Sequence, residues 1–421
     1  MQRASRIDLR MSDTISSPED VAPPGGLAKI EFVVLIASMM ALNAMAIDIM
    51  VPALDDIGRA FSVATENDQQ LVMLAYVLGF GLPQLIWGPV SDRYGRRALL
   101  LISLIGYAAL SWACALAGSF SELLAARFMM GVFSSAGRVV AISVVRDVYA
   151  GRGMAQIMSF VMMVFMTVPI LAPAMGQVVL GFGPWTWIFY VMVIYASFVA
   201  VWSFVRLPET LPPDLRKPLS FASAFEAYGQ VLRTRVACGY VLASGVLFGG
   251  LFAFLFSFEQ VMSQVFGEDE RIGLWFALAS IGLAFTSFAN GLLVKRVGMR
   301  RLSHVSVIVF TSLALTNLAA MWVLGPVFAV FMPLMILTFG MVGMIGSNFN
   351  AIAMEPLGEI AGTASAALGF ASTTIAGFLG YAISSRFDGT VLPLLAGFAA
   401  LGAGSFLIIL VTEKRQLFGN G

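Results

Sequence analysis

The sequence predicts an all-α polytopic membrane protein, with twelve transmembrane helices in two six-helix halves and both termini cytoplasmic. Three observations predict it. Of the 421 residues, 59% are hydrophobic and 12% charged, against the roughly 25% charged residues of a soluble domain. The apolar residues gather into twelve runs, each near the ~20 residues that a bilayer crossing needs. Lys and Arg collect in alternate connections. With the N-terminus inside, 20 of the 25 lie in cytosolic segments and 3 in periplasmic loops, and Arg127 and Arg138 fall within a run. Retention of positive charge in short cytosolic loops gives this alternation.

In chain order, residues 1–31 are polar and rich in Pro and Ser, without the apolar core of a signal peptide, and read as a disordered cytosolic tail. The N-terminal half, 32–207, holds spans 32–54, 69–90, 97–118, 122–146, 154–181 and 185–207. A cytosolic linker, 208–235, follows, in which 219–234 fits an amphipathic surface helix. The C-terminal half, 236–413, holds spans 236–263, 271–294, 302–324, 326–354, 360–385 and 389–412, and 414–421 is a second cytosolic tail. The halves repeat. GPVSDRYGRR (88–97) returns as GLLVKRVGMR (291–300), so that Gly88, Arg93, Gly95 and Arg97 recur as Gly291, Arg296, Gly298 and Arg300 at an offset of 203. Duplicated halves predict a transporter whose site lies between them near the bilayer midplane. The net charge of +1 speaks against a nucleic-acid partner. Cys114 and Cys238 lie in apolar runs and imply no disulfide framework. With one His and no metal-ligand cluster, nucleophile constellation or phosphate loop, neither an enzyme nor a metal or other cofactor is expected. The expected partners are the lipid bilayer and a small-molecule substrate, and the chain is expected to act as a monomer.

GPVSDRYGRRALL, between spans 2 and 3, resembles the signature loop of the major facilitator superfamily, Gly-x-x-x-Asp-Arg-x-Gly-Arg-Arg. Gly88 permits close helix approach and Gly95 a tight turn. Asp92 suits the positive N-terminus of a neighbouring helix, while Arg93, Arg96 and Arg97 hold the loop inside. The resemblance implies that Asp92 meets the start of span 11 near Ile360. It also implies that Arg96 pairs with Asp147 at the end of span 4, a latch for the outward-facing state. AMAIDIMVPAL, ARFMMGVFSSAGRVVAISVVRDVYAG, VPILAPAMG and LPETLPP are similar to the Bcr/CflA branch of drug:proton antiporters. That similarity implies a bacterial inner-membrane pump exporting a hydrophobic or amphipathic drug-like compound, with protons as coupling ion. Export of a metabolite such as a sugar, amino acid or siderophore, or import, stays open. Met130 stands where the span 4 signature has Gln. Span 5 reads Ala172-Pro173-Ala174-Met175-Gly176-Gln177 in place of Gly-Pro-x-x-Gly-Gly.

An ionised Asp in the bilayer costs about 2.5–3.5 kcal/mol on insertion scales, so embedded charges normally face water or a partner. At 1.5 Å per residue, Asp48 lies roughly 9–10 Å and Arg127 roughly 7–8 Å from the outer membrane surface. Similar depth in one half predicts that they meet or share a water chain. Asp48 is then the proton-coupling acid and Arg127 its tuner; the alternatives are a fixed ion pair or direct binding of a cationic substrate. Glu259, near the outer end of span 7, is expected in solvent, with contact to substrate in the cavity as the alternative. Arg138 either lines the cavity or satisfies carbonyls around span 5. Asn43, Tyr76, Gln84, Asn348 and Asn350 either face the cavity or join helices. His304, near the cytosolic end of span 9, is a poor proton site by position. Pro169, Pro173 and Gly176 form an expected pivot and seal, packed against span 8 of the other half.

Overall fold

Lipid offers no partners to backbone N–H and C=O groups, so long apolar segments must satisfy them internally as helices. The computed structural model describes residues 23–63, 65–149, 154, 156–158, 160–161, 167–216 and 221–418. The side chains of 66, 221–225, 227 and 358–363 are left aside. Of the tail expected over 1–31, residues 1–22 lie outside the described residues, whereas Pro24–Gly26 form a 3-10 turn and the first membrane helix already begins at Lys29.

In the N-terminal half the helices are α1 (Lys29–Asp48), α2 (Leu54–Ala60), α3 (Leu71–Gly81), α4 (Gln84–Tyr94), α5 (Arg96–Ala115), α6 (Phe120–Val148), α7 (Thr167–Phe182) and α8 (Thr186–Arg206). The linker carries α9 (Phe221–Arg233) within the stretch expected to be helical. The second half holds α10 (Arg235–Gln260), α11 (Ile272–Val297), α12 (Met299–Leu324), α13 (Phe328–Met354), α14 (Ala361–Ser384) and α15 (Leu392–Thr412). Among the described residues, ten helical stretches are long and apolar enough to cross a membrane. The pair α3–α4 supplies an eleventh, bent by 45°; the bend falls at Leu82–Pro83, and Pro cannot donate the backbone hydrogen bond that would continue the helix. Helix α7 is the described part of the predicted fifth span.

Side-chain contacts fix which helix ends share a face. Arg206 Nε of α8 meets Glu31 Oε1 of α1 at 2.7 Å, Arg235 donates to the Val411 carbonyl, and Arg300 Nε meets Glu413 Oε1 at 3.2 Å. These elements form the termini face. On the opposite, far face, the Phe61 ring packs on Trp185 (5.6 Å) and Phe120 (6.1 Å).

The repeat seen in the sequence is also a repeat of conformation. Gly95 (φ 94°, ψ 163°) and Gly298 (φ 85°, ψ 150°) turn the chain between successive helices at matching places in the two halves. Positive φ favours Gly at both. Within the first half, a Cβ on Gly79 or Gly131 would strike the Phe128 or Tyr76 backbone. Helices α3 and α6 therefore cross in near backbone contact, and this crossing sets where Arg127 points.

Candidate functional site

Asp48 ends α1, 5% exposed, and has no hydrogen bond or ion pair among the described residues. Arg127 is fully buried and does not meet it. Its Nη2 donates to the Ala46 carbonyl (3.0 Å) and its Nε to the Val72 carbonyl (3.2 Å), and its Cζ lies 4.7 Å from the Tyr76 ring centroid. The reason is helical geometry. The last four carbonyls of a helix lack intrahelical partners, and a guanidinium beside the end of α1 satisfies one of them. The expected Asp48–Arg127 meeting is thus replaced by a capping contact two residues upstream of the acid. Next to it, Tyr76 Oη donates to Asn43 Oδ1 (3.1 Å) or Ser134 Oγ (2.8 Å). Asn43 and Tyr76 belong to this buried network.

The signature loop builds a compact brace. Arg96, 3% exposed, contacts Asp92 Oδ1 (2.7 Å), Asp147 Oδ2 (2.8 Å) and Ser91 Oγ (2.8 Å). The expected Arg96–Asp147 pair is present, and all the partners of this guanidinium belong to the first half. Glu209 of the LPET segment, absent from the sequence-based candidates, accepts from the backbone N–H of Arg96 (2.9 Å) and of Arg97 (3.3 Å). An acidic group on the first N–H groups of α5 meets the positive end of that helix. The Arg97 guanidinium donates to the Phe204 carbonyl at 2.6 Å. Arg93 and Gly88 line the last turns of α4, and a Cβ on Gly88 would meet nothing within 4 Å, so close approach does not require Gly there. The expected contact of Asp92 near Ile360 falls on side chains outside the described residues. In the second half Arg300 repeats the brace, meeting Glu355 at 2.8 Å and Glu413 at 3.2 Å. His304 is wholly buried there, with Nε2 2.9 Å from Tyr240 Oη.

Helix α7 does pack on α11 of the other half, but the small residue at the contact is Gly273, where a Cβ would come within 2.8 Å of Ala174 Cα. Gly176 instead faces Ile49 and Pro52, within its own half, as a Cβ there would collide with the Ile49 carbonyl. Pro173 is buried within α7, and the Pro169 carbonyl accepts from Ser280 Oγ of α11 at 3.3 Å. Gln177, the departure from the antiporter signature, makes the directional bonds: its Nε2 donates to the Asp269 carbonyl (2.9 Å) and its Oε1 accepts from Gly273 N–H (3.0 Å).

More amides join the halves on the far face. Asn67 Nδ2 donates to the Ser385 and Phe387 carbonyls (both 3.0 Å), and Gln70 donates to Gln260 Oε1 (2.5 Å). Glu259, expected in solvent, is 4% exposed and accepts from Gln69 Nε2 at 3.5 Å. It is buried because α10 ends inside this junction.

Toward the termini face lies a cavity of about 300 Å³ between the halves, lined among others by Arg138, Tyr240, Ser244, Phe248, Phe349 and Asn350. Arg138 and Asn350 therefore face it, as one of the sequence-based alternatives has them. Gln84 packs against Gly369 and donates to the Phe80 carbonyl (3.2 Å). Asn348 joins α13 to α11 through Asn290 Oδ1 (2.6 Å). Arg138 follows Arg127 on α6 by about three turns, or ~16 Å. The polar residues that the sequence groups around one cavity thus fall into two sites.

Residues 36–381 match the family profile of the Major Facilitator Superfamily. The bicyclomycin resistance protein homolog of Haemophilus influenzae is 28% identical over 397 residues, 93% of this chain and 98% of that one. Multidrug resistance protein D of Escherichia coli K12 is 27% identical over 348 residues, 81% and 85% of the two chains. A D-xylose-proton symporter of known structure superposes with a TM-score of 0.70 at 15% identity, covering 90% of this chain and 97% of its own, a likeness of fold alone. With two braced helical halves, a cavity between them and a family match across most of its length, this chain belongs to the Major Facilitator Superfamily and is a multi-pass membrane transporter.

Proposed function

We propose that this transporter exports a hydrophobic or amphipathic drug-like compound across a bacterial inner membrane in exchange for protons, by alternating access. The names of its relatives and the retention of Lys and Arg on the termini face, which that distribution puts in the cytosol, support the reading. The single observation that carries the proton coupling is the carboxylate of Asp48, buried without a hydrogen bond or counter-ion among the described residues. A carboxylate in that setting is held in check only by its access to water, so its protonation follows the side to which the bundle opens. The cavity on the termini face and the amide junction on the far face correspond to a state open to the cytosol. There, substrate enters as the proton leaves. One proton moving through 100 mV contributes roughly 2.3 kcal/mol, enough for a gradient of about fortyfold.

The test is drug susceptibility of a pump-deficient bacterial host expressing the chain, with and without a protonophore. Resistance that collapses with the proton gradient is expected. Unchanged susceptibility across a broad compound panel would overturn drug export in favour of a metabolite, and resistance indifferent to the protonophore would overturn the coupling.

A further inference from the structure

Arg138 is the one charged residue among those lining the cavity between the halves. It makes no hydrogen bond or ion pair to any described residue, and its Cζ lies 5.6 Å from the centroid of the Phe80 ring. The contrast with the two buried arginines, Arg127 and Arg96, is sharp, Arg138 itself being half-buried. Arg127 donates to two backbone carbonyls, and Arg96 to two carboxylates and a hydroxyl. A guanidinium carries five N–H donors in a fork that fits a planar or tetrahedral anion. At membrane depth an uncompensated cation is unfavourable, and such residues mark substrate pathways. The remaining walls supply no counter-charge. Phe248, Phe252 and Phe349 give an apolar side, while Ser244, Ser365 and Thr373 give small hydroxyls. The Tyr240 hydroxyl is already engaged with His304 and Glu413.

Resting on the reading of this cavity as the substrate site, we propose that its substrates are amphipathic anions: an aromatic or aliphatic body carrying a carboxylate, sulfonate or phosphonate, with Arg138 holding the anionic group and the phenylalanines the body. The contact with the Phe80 ring face uses none of the guanidinium N–H groups as hydrogen-bond donors and leaves them available to the ligand. Exchange of one monoanion outward for one proton inward carries two elementary charges down an interior-negative potential. An uncharged substrate exchanged for one proton carries one.

The test uses the purified full-length protein in a neutral detergent and saturable binding of tritiated 2-naphthoate. Competitors are unlabelled 2-naphthoate, its uncharged methyl ester and 2-naphthylmethylammonium. The acid is expected to compete at least tenfold better than the ester and better still than the ammonium. Arg138→Gln should bring acid and ester within threefold of each other while leaving ester binding in place, which also reports an intact cavity; Arg138→Lys should keep most of the preference. Absence of saturable naphthoate binding, equal competition by ester or ammonium, or a tenfold preference surviving in Arg138→Gln would each overturn the proposal. If the variant fails to fold, the wild-type ranking alone decides. Failure of drug export is separable: anion preference with no proton-dependent resistance would remove the export reading and keep the anion site, and resistance to uncharged compounds alone, unaltered in Arg138→Gln, would do the reverse.

Discussion

Asp48 and Arg127, an acid and a base, sit embedded in one half, yet they serve different ends. Arg127 completes the end of α1 by donating to the Ala46 carbonyl and ties it to α3 by donating to the Val72 carbonyl. A buried acceptor left without its donor costs about 1–3 kcal/mol, so Arg127→Met should lower the unfolding temperature in detergent by a margin equivalent to ~2 kcal/mol or more. Arg127→Lys, able to reach one carbonyl, should lose less. Asp48 has no such bond to lose. Asp48→Asn puts a polar group of the same size in the same place and breaks no hydrogen bond, so it should melt close to the wild type. In proteoliposomes it should still bind substrate while proton-driven transport falls at least tenfold. Thermal melts and transport on the same preparations check both. Equal losses of stability in the two variants would mean that the acid, too, is structural.

Between helices, much of the arrangement was legible in the sequence, and the exceptions have physical causes. Arg96, Asp147, Gly95 and its partner Gly298 could be read because motif spacing along a chain survives folding: a positive-φ corner needs Gly wherever it occurs. The direction of Arg127 could not be read, because depth along two helices says nothing of their rotation, which the Gly79–Gly131 crossing decides. Glu209 and the Asn67–Gln70 group escaped notice, and Gln177 read only as a departure from a signature, because uncharged amides and loop acids leave no periodic signal and find partners more than a hundred residues away in some cases. The burial of Glu259 was hidden by the same means, since a helix end reads as solvated until the other half covers it. The brace invites a quantitative test at this scale. Arg96→Ala leaves Asp147, whose side chain is 14% exposed, with the Thr210 hydroxyl but no counter-ion, and breaking a buried pair from one side costs on the order of 3 kcal/mol. A marked drop in melting temperature is expected. Glu209→Gln, which removes only the charge at the start of α5, should cost about 0.3–1 kcal/mol. A larger effect from Glu209 than from Arg96 would show that the linker, and not the ion pair, holds the loop.

Across the whole molecule the two faces are joined differently, and that asymmetry defines a test of the transport cycle. On the far face, side-chain amides bridge the halves: Asn67 to the Ser385 and Phe387 carbonyls, Gln70 to Gln260, Gln177 to the Asp269 carbonyl and the Gly273 N–H at the start of α11. Such bonds are each worth only about 0.5–1.5 kcal/mol net, weak enough to break in every cycle and numerous enough to act together. Alternating access requires the junction to part, so joining it covalently should halt transport. Cysteines at Asn67 and Ser385, bridged by a short cleavable bifunctional reagent, should reduce transport at least tenfold, with recovery when the bridge is cleaved. Substrate should still bind to the bridged protein from the termini face, because the Arg138 cavity lies on that side. The natural Cys114 and Cys238 are buried and half-buried, and replacing both by Ser beforehand removes their contribution. Bridged protein that transports at the wild-type rate would mean that the halves do not separate on the far face, and the cytosol-open assignment would fall with it.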